Sequence, residues 1–294
     1  MAASLWQTKK QMCDIGQRIW QRGYCAGNEG NHSVRIGEDR VLCTPTGISK
    51  GFLAPDDICV IDMDGTQVEA NPAGRKRTSE ILLHLAIYKQ RDNIGAVVHS
   101  HPPHATAFAM AQMPVPEGIH PEAEVFLGKV PIARFAMPST QALPDSITAL
   151  MGPDTNSVLM GNHGTVSFSH DLLDTYYKLE ILDAYCRILL LCTQLGQVNV
   201  LDRRQQTELL EVKEKFGLHD DRIACAPDGC IGADNEMFMA SLDVRPAGVT
   251  CNCKGDAVTA HASAGGDPGT AGNGGQFESL VAAITDQIMT RING

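Results

Sequence analysis

The chain has 294 residues, 43% of them hydrophobic, and its 24 Lys+Arg against 34 Asp+Glu give a formal net charge of -10. That apolar content excludes global disorder, and the acidic balance argues against nucleic acid as the main partner. No apolar run approaches the roughly 18–20 residues of a membrane span, and residues 1–10 lack an apolar signal core, so a cytoplasmic location is expected. Several of the ten cysteines lie in apolar segments, where a free thiol packs as a small core residue, and this fits a reducing compartment.

In chain order, Leu5, Met12, Ile15 and Ile19 share one helical face, and Gly23 suits the cap that ends such a helix. His32–Ile36, Arg40–Thr44 and Ile58–Asp62 have the composition of short strands, the last followed by the turn Asp64-Gly65. Ser79–Gln90 is expected to be a helix with Ile81, Leu82, Leu85 and Tyr88 on its apolar side. Ala96–Val98, Val130–Phe135, Ser157–Met160 and Thr165–Ser169 are expected strands, and Leu172–Leu195 and Arg203–Phe216 are expected helices. Strands interleaved with helices define an α/β layered domain.

Residues 218–261 carry Cys225, Cys230, Cys251 and Cys253 with little periodicity. Their spacing departs from the paired Cys-x2-Cys of structural zinc, so ordinary thiols or a labile disulfide are expected there. Residues 262–275 form a Gly-rich flexible linker by composition. Helical periodicity returns within 276–294 at Phe277, Leu280, Val281, Ile284, Ile288 and Ile292, which describes a short amphipathic helix.

The residues that carry chemistry lie in the first two thirds of the chain. His99 and His101 follow the strand Ala96-Val97-Val98, and residues i and i+2 of an extended segment project to one side. His163, in Gly161-Asn162-His163-Gly164, lies just beyond another strand and supplies a third imidazole. Three neutral imidazoles with one open position make a catalytic divalent-metal site, most simply zinc. Glu80 stands at a helix start, where an acid complements the dipole or serves as a general acid or base beside the metal. Thr78 and Ser79 offer hydroxyls and amides to an anion at the same point. The turns 27–33 and 44–47 add Gly, Asn and Thr in the chemistry of a phosphate cradle.

Taken in order, several segments resemble the class II aldolase/adducin family over about residues 5–217. They are Gly30-Asn31-His32-Ser33-Val34-Arg35, Thr44-Pro45-Thr46-Gly47, Asp57, and Ser79-Glu80 with His84. Ala96-Val97-Val98-His99-Ser100-His101-Pro102 and Gly161-Asn162-His163-Gly164 complete the match. The resemblance implies a three-layer α/β/α domain over residues 1–217 with a central, mainly antiparallel sheet. It also implies a homotetramer with active sites at subunit interfaces, and one zinc ion per subunit on His99, His101 and His163. Glu80 matches the catalytic glutamate. Asn31, Thr46, Gly47, Thr78 and Ser79 match phosphate-binding positions, with Gly30 beside them.

The reaction implied is the retro-aldol cleavage of a deoxy-ketohexose 1-phosphate, with Glu80 moving the proton at C3. L-fuculose 1-phosphate, and L-rhamnulose 1-phosphate with it, would give dihydroxyacetone phosphate and L-lactaldehyde. Adducin-like members are binding modules without the three histidines, so their role is disfavoured here. Pentulose-phosphate 4-epimerases typically carry Asp where Glu80 stands, and a methylthioribulose-phosphate dehydratase shares the metal site and is not separated by motif. The aldolases bring a neighbouring subunit's tyrosine to the leaving aldehyde, and no clear counterpart occurs around His120-Pro121-Glu122-Ala123-Glu124. The tail 276–294 resembles the encapsulation peptides that target enzymes into bacterial microcompartments. This implies a shell protein as a partner and confinement of the reactive aldehyde, with no nucleic-acid or membrane partner.

Overall fold

A computed structural model describes residues 4–242 of the chain. The expectations that fall on residues 243–294 (Cys251 and Cys253, the Gly-rich linker and the amphipathic tail) lie outside the described residues. Helix α1 (Leu5–Gln21) is closed at its N-terminus by a reciprocal cap, in which Ser4 and Gln7 each accept the other's backbone N–H. Its buried residues Met12, Ile15 and Ile19 are those of the expected apolar face.

Seven strands follow: β1 (Asn31–Arg35), β2 (Arg40–Cys43), β3 (Cys59–Asp62), β4 (Ala96–Ser100), β5 (Ile132–Ala133), β6 (Ser157–Met160) and β7 (Gly164–Ser169). They form one sheet in the order β3-β2-β1-β4-β7-β6-β5. Every pair is antiparallel except β5 with β6. Central β4 lies between β1 and β7, which carry its pairing past the expected end at Val98, β1 as far as His99 and β7 as far as Ser100. His99 is therefore a strand residue paired on both sides, and Ser100 is paired on the β7 side.

Alternation sorts the sheet residues into two cores. Val41, Cys43, Ile61, Val97, Val166 and Phe168 pack on α2 (Ile81–Gln90) and α5 (Ala142–Thr148). Leu42, Val60, Ala96 and Val98 pack on α1 and on α6 (Leu172–Leu195). The result is helix, sheet and helix in three layers, as expected. Helices α3 (Pro103–Ala111), α4 (Pro121–Phe126) and α5 were not expected. Each has fewer than ten residues, too short to display a clear apolar period.

Helix α7 (Arg203–Lys215) is followed by two single 3-10 turns and α8 (Glu236–Ser241). This segment is joined to the α/β body by buried charge. Arg222 pairs with Glu117, and with Glu124 at 3.1 Å, while Lys213 meets Asp220 at 2.7 Å. Phe238 of α8 stacks on Phe108 of α3, with ring centroids 6.4 Å apart. Cys225 and Cys230 form a disulfide. Among the described residues no helix is long and apolar enough to cross a membrane.

Candidate active site

The ladder around β4 assembles the histidines. Asn31 of β1 lies opposite His99, and Val166 of β7 lies opposite it on the other side. One residue beyond β4, His101 is fixed by its backbone N–H, which donates to the Tyr24 carbonyl at 2.9 Å. The β6–β7 hairpin turns through Gly161-Asn162-His163, with Asn162 at φ 55, a left-handed conformation that Asn tolerates better than most residues. That turn delivers His163 to the same place. Ring centroids are 4.8 Å apart for His99–His101, 4.7 Å for His99–His163 and 5.2 Å for His101–His163.

The donor set suits a cation. One ring nitrogen from each of His99, His101 and His163 lies within 4.8 Å of the others. His99 Nδ1 is 2.8 Å from the Thr165 carbonyl and donates to it, which leaves the Nε2 lone pair buried without a hydrogen-bond partner among the described residues. Among the described residues, the buried Nδ1 atoms of His101 and His163 also lack hydrogen-bond partners. Burial holds all three imidazoles below their usual pKa. For His101, burial and the neighbouring His99 bring it to about 4. The neutral imidazole that results is the form a metal requires.

Glu80 occupies the N-cap of α2, one residue before the helix proper. Its Oε2 lies 3.3 Å from His99 Nε2, and its Oε1 lies 3.7 Å from His163 Nε2. Burial alone would raise its pKa, but His99, the Asn31 amide, His163 and His84 outweigh that and hold it below the usual carboxylate range. A second carboxylate, Glu29, approaches His101 Nδ1 at 3.4 Å from the opposite loop.

The expected phosphate-binding residues fall on three loops, except Asn31, which is the first residue of β1. Thr46 and Gly47 are exposed, and the Thr46 N–H donates to the Lys76 carbonyl at 3.0 Å. The Thr78 N–H donates to the Thr44 carbonyl at 3.1 Å, so the loop at 44–47 and the α2 approach are tied together. Thr78 itself is buried with Oγ1 accepting from the Glu80 N–H, while Ser79 is exposed. Gly30 has φ +70, and a Cβ there would stand 2.6 Å from Cys25 Sγ and 3.1 Å from the His99 carbonyl, so no side chain fits. Asn31 does not open onto the loops, because its side-chain amide is engaged by Glu80 and His84.

Sequence reasoning passed over Lys50. It is 1% exposed, and among the described residues it has no carboxylate partner. Its Nζ donates to the carbonyls of Asn28 at 3.0 Å and Ile48 at 2.6 Å, so one ammonium holds the first cradle loop against the second. Burial lowers its pKa, with Cys25 opposing. A lone lysine between Ser49 and Gly51 carries no sequence signal of this role. Asp57, a residue of the family motif, accepts from Arg75 Nε at 2.7 Å and braces the segment that leads to Thr78.

Fold and site together define a class II aldolase. Residues 10–190 match the family described as Class II Aldolase and Adducin N-terminal domain, and the chain belongs to that family. It is an enzyme of that class, a carbon–carbon lyase. The L-fuculose phosphate aldolase of Methanocaldococcus jannaschii is 34% identical over 183 residues, 62% of this chain and 96% of that protein. The 3-oxo-tetronate 4-phosphate decarboxylase of Haemophilus influenzae is 32% identical over 186 residues, 61% of this chain and 85% of that protein. A solved L-fuculose 1-phosphate aldolase aligns with TM-score 0.63 at 28% identity, over 74% of this chain and 98% of that one.

Proposed function

We propose that the protein cleaves a deoxy-ketohexose 1-phosphate, L-fuculose 1-phosphate and also L-rhamnulose 1-phosphate, to dihydroxyacetone phosphate and L-lactaldehyde. The observation that carries this reading is a carboxylate, Glu80, set against three convergent neutral imidazoles. His99, His101 and His163 would hold one zinc ion, whose bound charge stabilises the negative charge that develops at the substrate carbonyl oxygen. Glu80 holds and moves the proton at C3 of the three-carbon fragment. Its Oε2 is engaged by Asn31, so Oε1 is the oxygen left for that proton. Thr46, Gly47, Thr78 and Ser79, with Gly30 and Asn31 behind them, orient the phosphate and so contribute through proximity.

A second reading is favoured by the similarity to a 3-oxo-tetronate 4-phosphate decarboxylase. Loss of carbon dioxide also breaks a carbon–carbon bond beside a carbonyl and needs the same charge stabilisation. Metal-loaded protein should release dihydroxyacetone phosphate from fuculose 1-phosphate or rhamnulose 1-phosphate in a coupled assay. Carbon dioxide from 3-oxo-tetronate 4-phosphate, with no dihydroxyacetone phosphate from either ketose, would replace the aldolase reading with the decarboxylase one. Glu80→Gln should keep the metal and lower turnover by roughly a hundredfold or more.

The proposal extends to assembly as a homotetramer with sites at its interfaces, and to an address tail at 276–294 that recruits the enzyme to a microcompartment shell. Large apolar side chains left exposed, among them Trp6, Phe52, Leu195 and Phe216, support association with further copies.

A further inference from the structure

A line of five side chains runs from Glu80 into the core between α2 and β1. Glu80 at the N-cap of α2 and His84 and Tyr88 within it are spaced i, i+4 and i+8, while Asn31 and Ser33 are spaced i and i+2 along β1. Four residues of helix rise about 6 Å and two residues of strand about 6.7 Å, so the two series keep step. They interleave as rungs. Asn31 Nδ2 is 2.8 Å from Glu80 Oε2, and Asn31 Oδ1 is 2.5 Å from His84 Nε2. Ser33 Oγ is 2.7 Å from His84 Nδ1 and 2.8 Å from Tyr88 OH. Asn31, Ser33, His84 and Tyr88 are all buried.

The donor direction along the line has one solution. A carboxylate oxygen accepts, so Asn31 presents its NH2 to Glu80 and its carbonyl oxygen to His84. His84 must then carry its proton on Nε2, which makes Nδ1 an acceptor. Ser33 therefore donates its O–H to Nδ1 and accepts from Tyr88. No group is free to reverse without leaving a buried polar atom unpaired, which is unfavourable. Burial, reinforced by His99, holds His84 down to about 3, so it stays neutral and keeps one proton.

We infer that His84, oriented by Ser33 and Tyr88, is a positioning residue that locks the Asn31 amide and thereby fixes which oxygen of Glu80 faces the substrate. The inference rests on the assignment of Glu80 as the group that moves the C3 proton. With the line intact, Glu80 Oε2 is held by Asn31 and Oε1 is held toward the reacting carbon. With His84 removed, the Asn31 amide is free to turn its carbonyl oxygen to Glu80, which repels the carboxylate and lets it rotate. Misplacement of a reacting group by about 1 Å costs on the order of a hundredfold in rate.

Two measurements test it. On metal-free protein, nitrogen-15 NMR of the imidazoles should show His84 with a protonated Nε2 and a bare Nδ1, unchanged from about pH 6 to about pH 8. On metal-loaded protein, solvent proton exchange at C3 of dihydroxyacetone phosphate isolates the step given to Glu80. His84→Leu should slow exchange by roughly 10- to 100-fold with KM and bound metal little changed. His84→Gln, whose amide N–H reaches the Asn31 oxygen, should recover most of the rate. Ser33→Ala should give a smaller loss in the same direction, and it decides the matter with the tautomer if His84→Leu does not fold. A protonated Nδ1, an exchange rate in His84→Leu within about twofold of the parent, or no recovery in His84→Gln overturns the inference. Unaltered exchange in Glu80→Gln overturns the role of Glu80 instead, and leaves the tautomer result standing.

Discussion

Asn31 stands directly opposite His99 in the antiparallel pair of β1 and β4. The register puts both side chains on the sheet face covered by α2, because residues paired across a ladder project the same way. The amide that holds Glu80 and the first imidazole of the candidate cation site are thus neighbours by backbone hydrogen bonding. A slip of one residue would send Asn31 to the opposite face and dismantle both.

Loss of any one imidazole should empty the cation site. His99→Ala, His101→Ala and His163→Ala are each expected to purify without bound metal and to lose roughly a hundredfold or more in turnover. Elemental analysis beside the coupled assay checks this. Chelation of the parent enzyme should abolish activity, and zinc should restore it. A variant that keeps a full equivalent of metal places the cation elsewhere.

Lys50 should act on substrate affinity through the loops it joins. Lys50→Met keeps the aliphatic stem but leaves the Asn28 and Ile48 carbonyls without their donor. The expected cost is about 1–3 kcal/mol of stability, with a raised KM for the sugar phosphate and a smaller change in kcat. Denaturant titration and steady-state kinetics measure the two effects. A fall in kcat at constant KM would detach Lys50 from phosphate binding.

Stability of the metal-free protein should fall on mild acidification. His32 is pushed down to about 4 by burial, against its bond to the Met12 carbonyl, and His84 to about 3, both below the ordinary 6.5. Between those values the unfolded chain binds protons that the folded chain refuses. The stabilisation is therefore complete above pH 6.5 and is lost as pH falls from there toward about 4 and below. Thermal unfolding across this range should show the slope, and His84→Gln should flatten it. An unchanged slope in that variant would mean His84 titrates normally in the folded protein.

Truncation before Gln276 should leave aldol cleavage and tetramer formation intact, because every residue of the proposed site lies before it. A fluorescent protein fused to 276–294 should be recruited in cells that make the cognate shell. A diffuse fusion, or a truncated enzyme that no longer forms tetramers, would assign the tail to the enzyme's own assembly.

The candidate site residues could be picked out of the chain because their chemistry is local. His99 and His101 announce themselves by a spacing of two after a run of Ala and Val, His163 by its glycine-flanked turn, and Glu80 by its place at a helix start. The long helices α6 and α7 and most strands were legible from apolar period, since burial of one face writes that period directly. What the tertiary structure decided was partnership. The pairing of β1 with β4, 65 residues further on, brings Asn31 beside His99. The packing of α2 on β1 sets Glu80, His84 and Tyr88 in step with Asn31 and Ser33, although neither series signals the other. Lys50 was illegible for the same reason: its role is defined by two carbonyl oxygens, and backbone carbonyls look alike in every sequence. Residue type determines which groups can act. Long-range hydrogen bonding and packing determine which of them meet and in which direction the protons point.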